Sequence, residues 1–388
     1  MSDIEIHGTC APAFAPVRDA FADGFRQGLE IGAACAIDLE GERVVDLWAG
    51  HADPARTRPW QRDTLVNLFS TTKGFTAFCA HKLAAEGKLD VDAPVARYWP
   101  AFAQAGKGGL PVRWLLSHRA GLAAVSRPLP NEALYDWDAM CEALAAQEPW
   151  WTPGEAHGYH ALTFGWLVGE VVRRIDGRSL GTYFRDEFAE PLGADLHIGL
   201  PATEHGRVSD LVPTTSPPSD AEAAHIAKAI MSEPEGLTAR AFANPPSMAL
   251  GSGTKAWREA EIPAANGHGT AAGLATLYGR AALPDGGGVI DPIWREQVRT
   301  ENSRGPDRVL GVETRFGQGF MLPLDHPNGG ATLGRGAFGH PGAGGSFGYA
   351  DPERRMGFGY AMNQMGTRIL LDDRVVALTD AATRAVSA

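Results

Sequence analysis

Three serines occur in contexts where nucleophilic chemistry is possible. Ser70 and Ser252 each precede a lysine by three positions, Lys73 and Lys255, and Ser346 is the central residue of a G-x-S-x-G motif. A serine hydroxyl needs an adjacent base to act as a nucleophile at neutral pH. On a helix, side chains three positions apart share a face, so each S-x-x-K pair could bring a hydroxyl and an amine together.

The local context favours Ser70. It follows an apolar run at 64–69 and opens a segment with helical spacing, so its backbone N–H would be free to bind an oxyanion. Lys73, held in a cleft near the positive end of that helix, could have a lowered pKa and accept a proton. Ser252 lies in a glycine-rich loop, and Ser346 is followed by a strand rather than a helix. The alternative for Ser70 is a simple helix cap beside a solvated lysine.

Tyr159 is a candidate partner for the amine, on a loop that precedes the helix predicted over 163–175. A tyrosine next to a lysine can have a depressed pKa and relay a proton. His157 and His160 flank Tyr159 and are rival bases. Each of the three could instead be a packed ring.

The glycine-rich stretch 339–345 would let a substrate lie along a strand edge. Pro341 has no N–H, so the amide of Ala343 is the candidate second oxyanion donor, beside the amide of Ser70. Considered alone, the stretch could be a hairpin corner and His340 a surface residue. Four large aromatic residues are candidate pocket walls: Trp137, Trp150, Trp151 and Phe338.

Composition and charge are those of a globular enzyme. The chain has 388 residues, 44% of them hydrophobic and 21% charged, which excludes collagen-like, disordered and disulfide-scaffold classes. With 35 basic and 46 acidic side chains, the net charge is −11, so nucleic acid is not an expected partner.

The cysteines and the N-terminus suggest a cytoplasmic protein without a membrane anchor. Cys10, Cys35, Cys79 and Cys141 form no C-x-x-C pair, so neither a zinc site nor a redox motif is predicted. The first residues, MSDIEIHG, include acids where a signal peptide has basic residues. No apolar stretch is long enough to span a bilayer. We therefore expect reduced thiols in the cytoplasm.

Strand-like segments lie at both ends of the chain. The first part contains a predicted helix over 14–29 and a predicted hairpin around Gly41, with strands at 33–39 and 44–48. Helices and long loops dominate from about 90 to 295, with the segment 200–270 read as surface loops. Strand-like segments then return, and a terminal helix follows them: 315–322, 336–340, 345–350 and 356–362.

This arrangement predicts a discontinuous fold of two lobes. Residues 1–69 and 296–388 would form an α/β sheet domain, and residues 70–295 a mainly helical domain. The active site is expected in the cleft at their junction.

Taken together and in order, the three motifs resemble those of one family. Ser70–Lys73, the triplet at 159–161 and the triplet at 340–342 are similar to the motifs of serine β-lactamase-like hydrolases. This group includes class C β-lactamases, DD-peptidases and family VIII carboxylesterases. The stretches LLSHRAGL at 115–122 and EGKLDVDAPVARYWP at 86–100 add to the resemblance, which extends from about 10 to 385.

The resemblance implies both a fold and a mechanism. The fold would be α/β of the α+β type, with a mostly antiparallel sheet flanked by helices and a helical lobe. Ser70, Lys73 and Tyr159 would be the catalytic residues of an acyl-enzyme mechanism that needs no metal and no cofactor. The amides of Ser70 and Ala343 would form the oxyanion site.

Two departures from the β-lactamase pattern favour esters. Ala161 stands where β-lactamases of this type have an asparagine that holds the substrate amide, and His340 replaces a lysine that suits a substrate carboxylate. A neutral histidine removes that charge partner at pH 7. The resemblance is therefore closest to the esterase branch. Five residues are the expected substrate contacts: His340, Gly342, Ala161, Trp151 and Phe338.

The expected function is hydrolysis of small to medium carboxylic esters. The partner would be a small-molecule ester, with no nucleic acid and no membrane, and the oligomeric state stays open. The alternatives are a β-lactamase, a D-amino-acid peptidase or amidase, or an acyltransferase of the same fold. A non-catalytic interaction protein is the alternative from another class.

Overall fold

A six-stranded antiparallel sheet forms the centre of the molecule. The computed structural model describes residues 4–217, 220–246, 253–324 and 333–387. In chain order, strands β1 to β11 span Ile6–Cys10, Gly32–Leu39, Glu42–Gly50, Val66–Asn67, Leu196–His197, His268–Gly269, Ser303–Pro306, Glu313–Phe316, Phe338–Pro341, Phe347–Asp351 and Met356–Met362. Helices α1 to α14 span Ala15–Arg26, Thr72–Ala85, Val95–Tyr98, Val112–Leu116, Trp137–Ala146, Thr163–Asp176, Leu180–Phe184, Glu190–Leu192, Ala221–Ser232, Leu237–Ala243, Lys255–Glu259, Ala271–Ala282, Pro292–Arg299 and Asp373–Ser387.

The central sheet joins the two ends of the chain, as the sequence predicts. Its strand order is β1-β3-β2-β11-β10-β9, and each neighbouring pair is antiparallel. The β2–β3 hairpin turns through Glu40 and Gly41, whose φ angles of 52° and 87° suit a two-residue type I′ turn. Strand β2 pairs with β11, where Cys35 lies opposite Tyr360. The predicted strands at 33–39, 44–48, 345–350 and 356–362 are confirmed.

One predicted strand is wrong in part. The segment 315–322 was expected to be continuous, but strand β8 ends at Phe316 and only Met321 forms a further bridge, to Gly339 of β9. Gly319 has a φ of +90°, which takes the backbone out of the extended region. A Cβ at Gly317 would lie 1.8 Å from the carbonyl oxygen of Val298. The two glycines therefore make a bend here.

Helices cover both faces of the sheet. Helices α1 and α14 pack on one face, where Val17, Phe358 and Leu378 share a buried apolar cluster. On the other face α12 approaches β11 so closely that a Cβ at Gly357 would lie 2.0 Å from the backbone nitrogen of Gly279. Helix α12 belongs to the part of the chain predicted as the helical domain, 70–295, and that division stays a prediction.

The helical lobe is organised around α2. Almost every residue of α2 is buried, which is typical of a core helix that is apolar on all sides. Phe75 stacks on Phe184 with ring centroids 4.9 Å apart, and Phe78 packs edge-on against Phe320 at 5.0 Å. Helix α6 confirms the helix predicted over 163–175 and ends at Gly177, whose φ is +94°. The fold is thus the predicted α+β arrangement of antiparallel sheet, flanking helices and helical lobe.

The segment 200–270 contains more regular structure than expected. Helices α9, α10 and α11 lie within it, and the Asp220 side chain caps α9 by accepting a hydrogen bond from Ala223 N. The alanine-rich sequence of α9 has a high helix propensity, which explains the helix in place of the predicted loop.

In the described ranges, no helix has both the length and the apolar character needed to cross a membrane. All four cysteines are free thiols.

Candidate active site

Ser70 lies just before the first turn of the buried helix α2. It occupies the turn between β4 and α2, and its carbonyl oxygen accepts a hydrogen bond from Lys73 N at 2.9 Å. The helix itself begins at Thr72, two residues later than expected. Phe69, immediately before Ser70, has a φ of +43°, which is strained for a residue with a side chain. Within the described ranges, Ser70 N has no hydrogen-bond partner.

The Lys73 amine is buried and contacts the Ser70 hydroxyl. Its Nζ lies 3.1 Å from Ser70 Oγ, 2.7 Å from the carbonyl oxygen of Ala161 and 2.9 Å from that of Ala264. Carbonyl oxygens only accept hydrogen bonds, so two N–H groups are committed to them. Burial lowers the pKa of Lys73 well below its usual value. A neutral amine in this position directs its lone pair toward the Ser70 hydroxyl.

Tyr159 completes the group of three. Its ring lies against Lys73, with Nζ 4.6 Å from the ring centroid. Burial raises the pKa of Tyr159 above its usual value, and the interaction of its hydroxyl with Ser70 offsets this only in part. The lowered pKa expected from the neighbouring lysine is therefore wrong. Tyr159 keeps its proton at neutral pH.

Asp307 holds the Tyr159 loop in place and was not identified from the sequence. Its buried carboxylate accepts hydrogen bonds from the backbone nitrogens of Tyr159 at 3.0 Å, Val309 at 2.8 Å and Leu310 at 2.9 Å. The Thr314 hydroxyl donates to its other oxygen at 3.1 Å. No local motif marks Asp307, because its contact with the Tyr159 loop joins residues 148 positions apart.

Removing this carboxylate should destabilise the protein. We expect Asp307→Ala to lower the free energy of unfolding by about 3 kcal/mol, because several buried donors lose their acceptor. Urea denaturation measures the change. Asp307→Asn keeps a side-chain carbonyl oxygen as a hydrogen-bond acceptor, so its free energy of unfolding should fall clearly less. Equal stabilities of wild type and Asp307→Ala would contradict the role assigned to these hydrogen bonds.

The two rival histidines are engaged elsewhere. His160 Nε2 accepts a hydrogen bond from Leu122 N at 3.1 Å, and its Nδ1 donates to the carbonyl oxygen of Gly158 at 2.7 Å. Burial lowers the pKa of His160 to about 3. His157 Nε2 hydrogen-bonds with the Thr314 hydroxyl at 2.8 Å, and burial lowers its pKa as well. Neither imidazole contacts Ser70 through any hydrogen bond in the described ranges.

His340 lies in the site and is neutral. It belongs to β9 and is 1% exposed, so it is not a surface residue. Its ring stacks on that of Tyr159 with centroids 5.9 Å apart. Nδ1 donates to the carbonyl oxygen of Pro341 at 2.7 Å, and Nε2 has no partner among the described residues. Burial, with the nearby Lys73, lowers the pKa of His340 to about 3.

The turn after β9 packs against the segment that carries Ser70. Gly342 must be a glycine, because a Cβ there would lie 2.1 Å from Ser346 Oγ and 2.2 Å from the carbonyl oxygen of Leu68. In the described part of the chain, Ala343 N has no hydrogen-bond partner. Among the described residues, the amides of Ser70 and Ala343 thus both lack a hydrogen-bond partner, and their role as oxyanion donors stays a prediction.

The other two serines differ from Ser70 in their surroundings. Ser346 is buried, donates to the carbonyl oxygen of Leu68 at 2.7 Å and lies 3.1 Å from the Thr71 hydroxyl. Neither of these two partners, a backbone carbonyl and a threonine hydroxyl, is a base that could take the Ser346 proton. Ser252 lies outside the described residues, and Lys255 is exposed, with Nζ 3.7 Å from a carboxylate oxygen of Glu259.

Trp151, an expected pocket wall, and Ala161, an expected substrate contact, lie in one buried cluster with Tyr159. Trp151 donates its indole N–H to the carbonyl oxygen of Ala156 at 3.0 Å. Phe338 packs edge-on against Phe320 at 5.0 Å and also lines a cavity of about 440 Å³ behind β9. Trp150 packs against the Tyr159 cluster, whereas Trp137 lies in the helical lobe, where it donates to Glu170 at 2.8 Å. In the described ranges, no group of three or more His, Cys, Asp or Glu side chains is placed to hold a metal ion.

Comparison with known proteins agrees with this geometry. The family model described as beta-lactamase matches residues 18–381. The esterase/beta-lactamase LipL of Mycobacterium tuberculosis is 39% identical over 381 residues, which cover 95% of this chain and 85% of that protein. Among solved structures, a family VIII carboxylesterase is 44% identical with a TM-score of 0.89, covering 98% of this chain and 100% of the other.

A penicillin-binding protein homolog from Caulobacter crescentus is 42% identical with a TM-score of 0.88 and the same coverage of 98% and 100%. The similarities therefore extend over nearly the whole chain and include the segments that carry all three motifs. As those motifs predict, this chain belongs to the beta-lactamase family.

Proposed function

We propose that this chain is a serine carboxylic-ester hydrolase acting on small to medium esters through an acyl-enzyme. The observation that carries the proposal is the buried contact between Lys73 Nζ and Ser70 Oγ at 3.1 Å. The amine has two of its N–H groups committed to carbonyl oxygens and a lowered pKa. It can therefore take the hydroxyl proton as Ser70 attacks.

Acylation uses all three side chains. Ser70 Oγ forms a bond to the ester carbonyl carbon while Lys73 accepts its proton. The amides of Ser70 and Ala343 bind the resulting oxyanion, and their position is set by the backbone before the reaction begins. When the tetrahedral intermediate collapses, the alcohol leaves. Tyr159 gives its proton to the departing oxygen and regains one from Lys73.

Deacylation reverses the proton path. A water molecule attacks the acyl carbon while Tyr159 accepts its proton and passes its own proton toward Lys73. The acyl–oxygen bond to Ser70 then breaks, and Ser70 regains its proton from Lys73. No group outside the three side chains and water is needed to balance these steps.

The polarity of the site supports esters over substrates that carry a carboxylate. His340 is neutral and therefore supplies no cation to pair with a substrate carboxylate. Ala161 offers no side-chain amide to a substrate. The similar proteins named as esterase and carboxylesterase add support from outside the chain.

β-Lactam hydrolysis is the second candidate, favoured by the name of the relative LipL, which includes both activities. The test compares kcat/KM for 4-nitrophenyl butyrate and for nitrocefin in one preparation, because this ratio measures discrimination in the transition state. We expect the ester to be preferred. A preference for nitrocefin would instead identify a β-lactamase, and release of D-alanine from a peptide would identify a peptidase.

Replacing Tyr159 with phenylalanine should slow the reaction without abolishing it. We expect kcat for 4-nitrophenyl butyrate to fall about 100-fold, because the proton relay to the leaving oxygen is lost. The effect should be larger for ethyl butyrate, whose alcohol leaves less readily than nitrophenolate and needs the proton more. Equal losses for both esters would argue against Tyr159 as the proton donor.

The cytoplasmic location is retained as part of this proposal. It rests on the four free thiols.

A further inference from the structure

The amide of Ala343 lies in a short turn, 342–345, that joins β9 to β10. The turn closes through Gly342 N donating to the carbonyl oxygen of Ser346 at 2.7 Å and Gly345 N donating to that of Gly342 at 3.1 Å. Neither bond involves Ala343 N. The orientation of the Ala343 N–H therefore depends on the contacts between the turn and the side chains packed against it.

Ser346 ties the turn to the segment that carries Ser70. Its hydroxyl donates to the carbonyl oxygen of Leu68 at 2.7 Å and lies 3.1 Å from Thr71 Oγ1. Leu68 lies two positions before Ser70 and Thr71 one position after it. One buried hydroxyl, 1% exposed, thus connects the turn that contains Ala343 to the backbone on both sides of Ser70.

Arg374 holds the opposite end of the turn. It is the second residue of α14, with a side chain that is 5% exposed, and its Nη2 donates to the carbonyl oxygen of Gly344 at 2.7 Å. Nε and Nη2 also bind the two carboxylate oxygens of Asp372 at 2.7 and 3.1 Å. This paired contact fixes the plane of the guanidinium, so its remaining Nη2 hydrogen must point at Gly344.

The rest of the Arg374 guanidinium is fully used. Nη1 donates to Glu30 at 3.0 Å and to the carbonyl oxygens of Leu29 and Gln364 at 3.0 and 2.9 Å. Tyr360 donates its hydroxyl to the other oxygen of Glu30. This buried cluster of charges leaves Arg374 no free donor for a substrate.

The turn fits closely against both side chains. Gly345 has a φ of +132°, and a Cβ there would lie 2.8 Å from Arg374 Nη2. At Gly342 a Cβ would lie 2.1 Å from Ser346 Oγ. Small residues at these two positions let the hydroxyl and the guanidinium reach the backbone.

We propose that Ser346 and Arg374 are positioning residues that hold the Ala343 amide at the distance and angle from Ser70 that an oxyanion requires. The proposal rests on the proposed function, in which this amide is the second oxyanion donor. It gives the serine of the G-x-S-x-G motif a role other than nucleophile. Arg374 acts through Gly344 and does not touch the substrate.

The test compares Ser346→Ala and Arg374→Lys with Tyr360→Phe as the control. Arg374→Lys keeps the positive charge near Glu30 and Asp372. It lacks the branched guanidinium, so it cannot bind these carboxylates and the carbonyl oxygen of Gly344 at the same time. Tyr360→Phe disturbs the same buried cluster without touching the turn. Circular dichroism establishes that each variant is folded. Ser346→Ala removes only one hydroxyl, so it tests the proposal even if Arg374→Lys does not fold.

Two measurements separate positioning of the amide from a general loss of stability. We expect both test variants to lower kcat for 4-nitrophenyl butyrate about 10- to 100-fold, with KM within about twofold of wild type, since a lost oxyanion donor costs about 100- to 1000-fold. Phenylboronic acid places a tetrahedral oxygen in the same site, so its inhibition constant should rise by a similar factor. Tyr360→Phe should match wild type in both measurements.

Two outcomes would overturn the proposal. One is a folded Ser346→Ala with wild-type kcat and wild-type boronate affinity. The other is a fall in kcat with unchanged boronate affinity, which would assign the two residues another role. Boronate binding, followed by tryptophan fluorescence, needs no turnover. The positioning role can therefore fail while ester hydrolysis by the wild type stands, and it can hold even if an ester is the wrong substrate.

Discussion

Ser70→Ala is expected to lower kcat/KM for 4-nitrophenyl butyrate about a thousand-fold or more, because the acyl-enzyme can no longer form. The Ser70 hydroxyl is the one that the Lys73 amine contacts, and Ser70 N is one of the two free amides of the site. The fold should survive, since alanine is smaller than serine. Circular dichroism and the rate measurement together check this expectation.

A matched control comes from the second S-x-x-K motif. Ser252→Ala should leave kcat/KM within about twofold of wild type, because the lysine of that motif, Lys255, is exposed and paired with Glu259 rather than buried as a base. Mass spectrometry after a short incubation with a slowly released acyl donor should find the adduct on Ser70. If activity persists in Ser70→Ala and disappears in Ser252→Ala, the nucleophile has been misassigned.

Lys73→Arg should lose almost as much activity as Lys73→Met, about a thousand-fold for each. If Lys73 served as a cation, arginine would retain part of the function, because its guanidinium is always charged. Arginine cannot replace lysine as a base, because its guanidinium keeps its proton. Lys82→Met, on the same helix but ion-paired with Glu86 at 3.2 Å, is the control and should match wild type. High activity in Lys73→Arg would contradict the role of base.

The lowered pKa of Lys73 also predicts two pH dependences. Only the neutral amine accepts a proton, so kcat/KM should fall as the pH is lowered through this pKa. The free energy of unfolding should rise with pH between the lowered pKa and about 10.4, because the unfolded chain binds a proton there that the folded chain does not. Lys73→Met should remove this slope. An unchanged slope in that variant would show that another group causes it.

Much of the fold followed from periodicity and turn residues alone. The hairpin around Gly41, the last two strands and helix α6 are local features, and each occurs where its pattern indicates. The continuous strand over 315–322 and the loops over 200–270 were misjudged. In the first case the backbone at Gly317 passes close to Val298, 19 positions earlier in the chain, and leaves no room for a side chain there.

The protonation states of the site could not be read from spacing. A tyrosine beside a lysine was expected to have a lowered pKa, but Tyr159 is buried against Phe316 and His340, and burial raises its pKa. Asp307 gave no local signal either. Its importance depends on backbone donors that only the tertiary structure brings to one carboxylate.

By itself, the sequence determined the family, the antiparallel sheet built from both ends of the chain, and the contact between Ser70 and Lys73. The family motifs and the Ser70–Lys73 contact depend on residue types at short, fixed spacings, where backbone geometry leaves few choices. The sheet was indicated by strand-like segments at both ends, and its antiparallel pairing by the family resemblance. Only the tertiary structure decided the state of the Lys73 amine. Its two carbonyl partners come from Ala161 and Ala264, 88 and 191 positions away, and burial among distant segments makes the neutral form favourable.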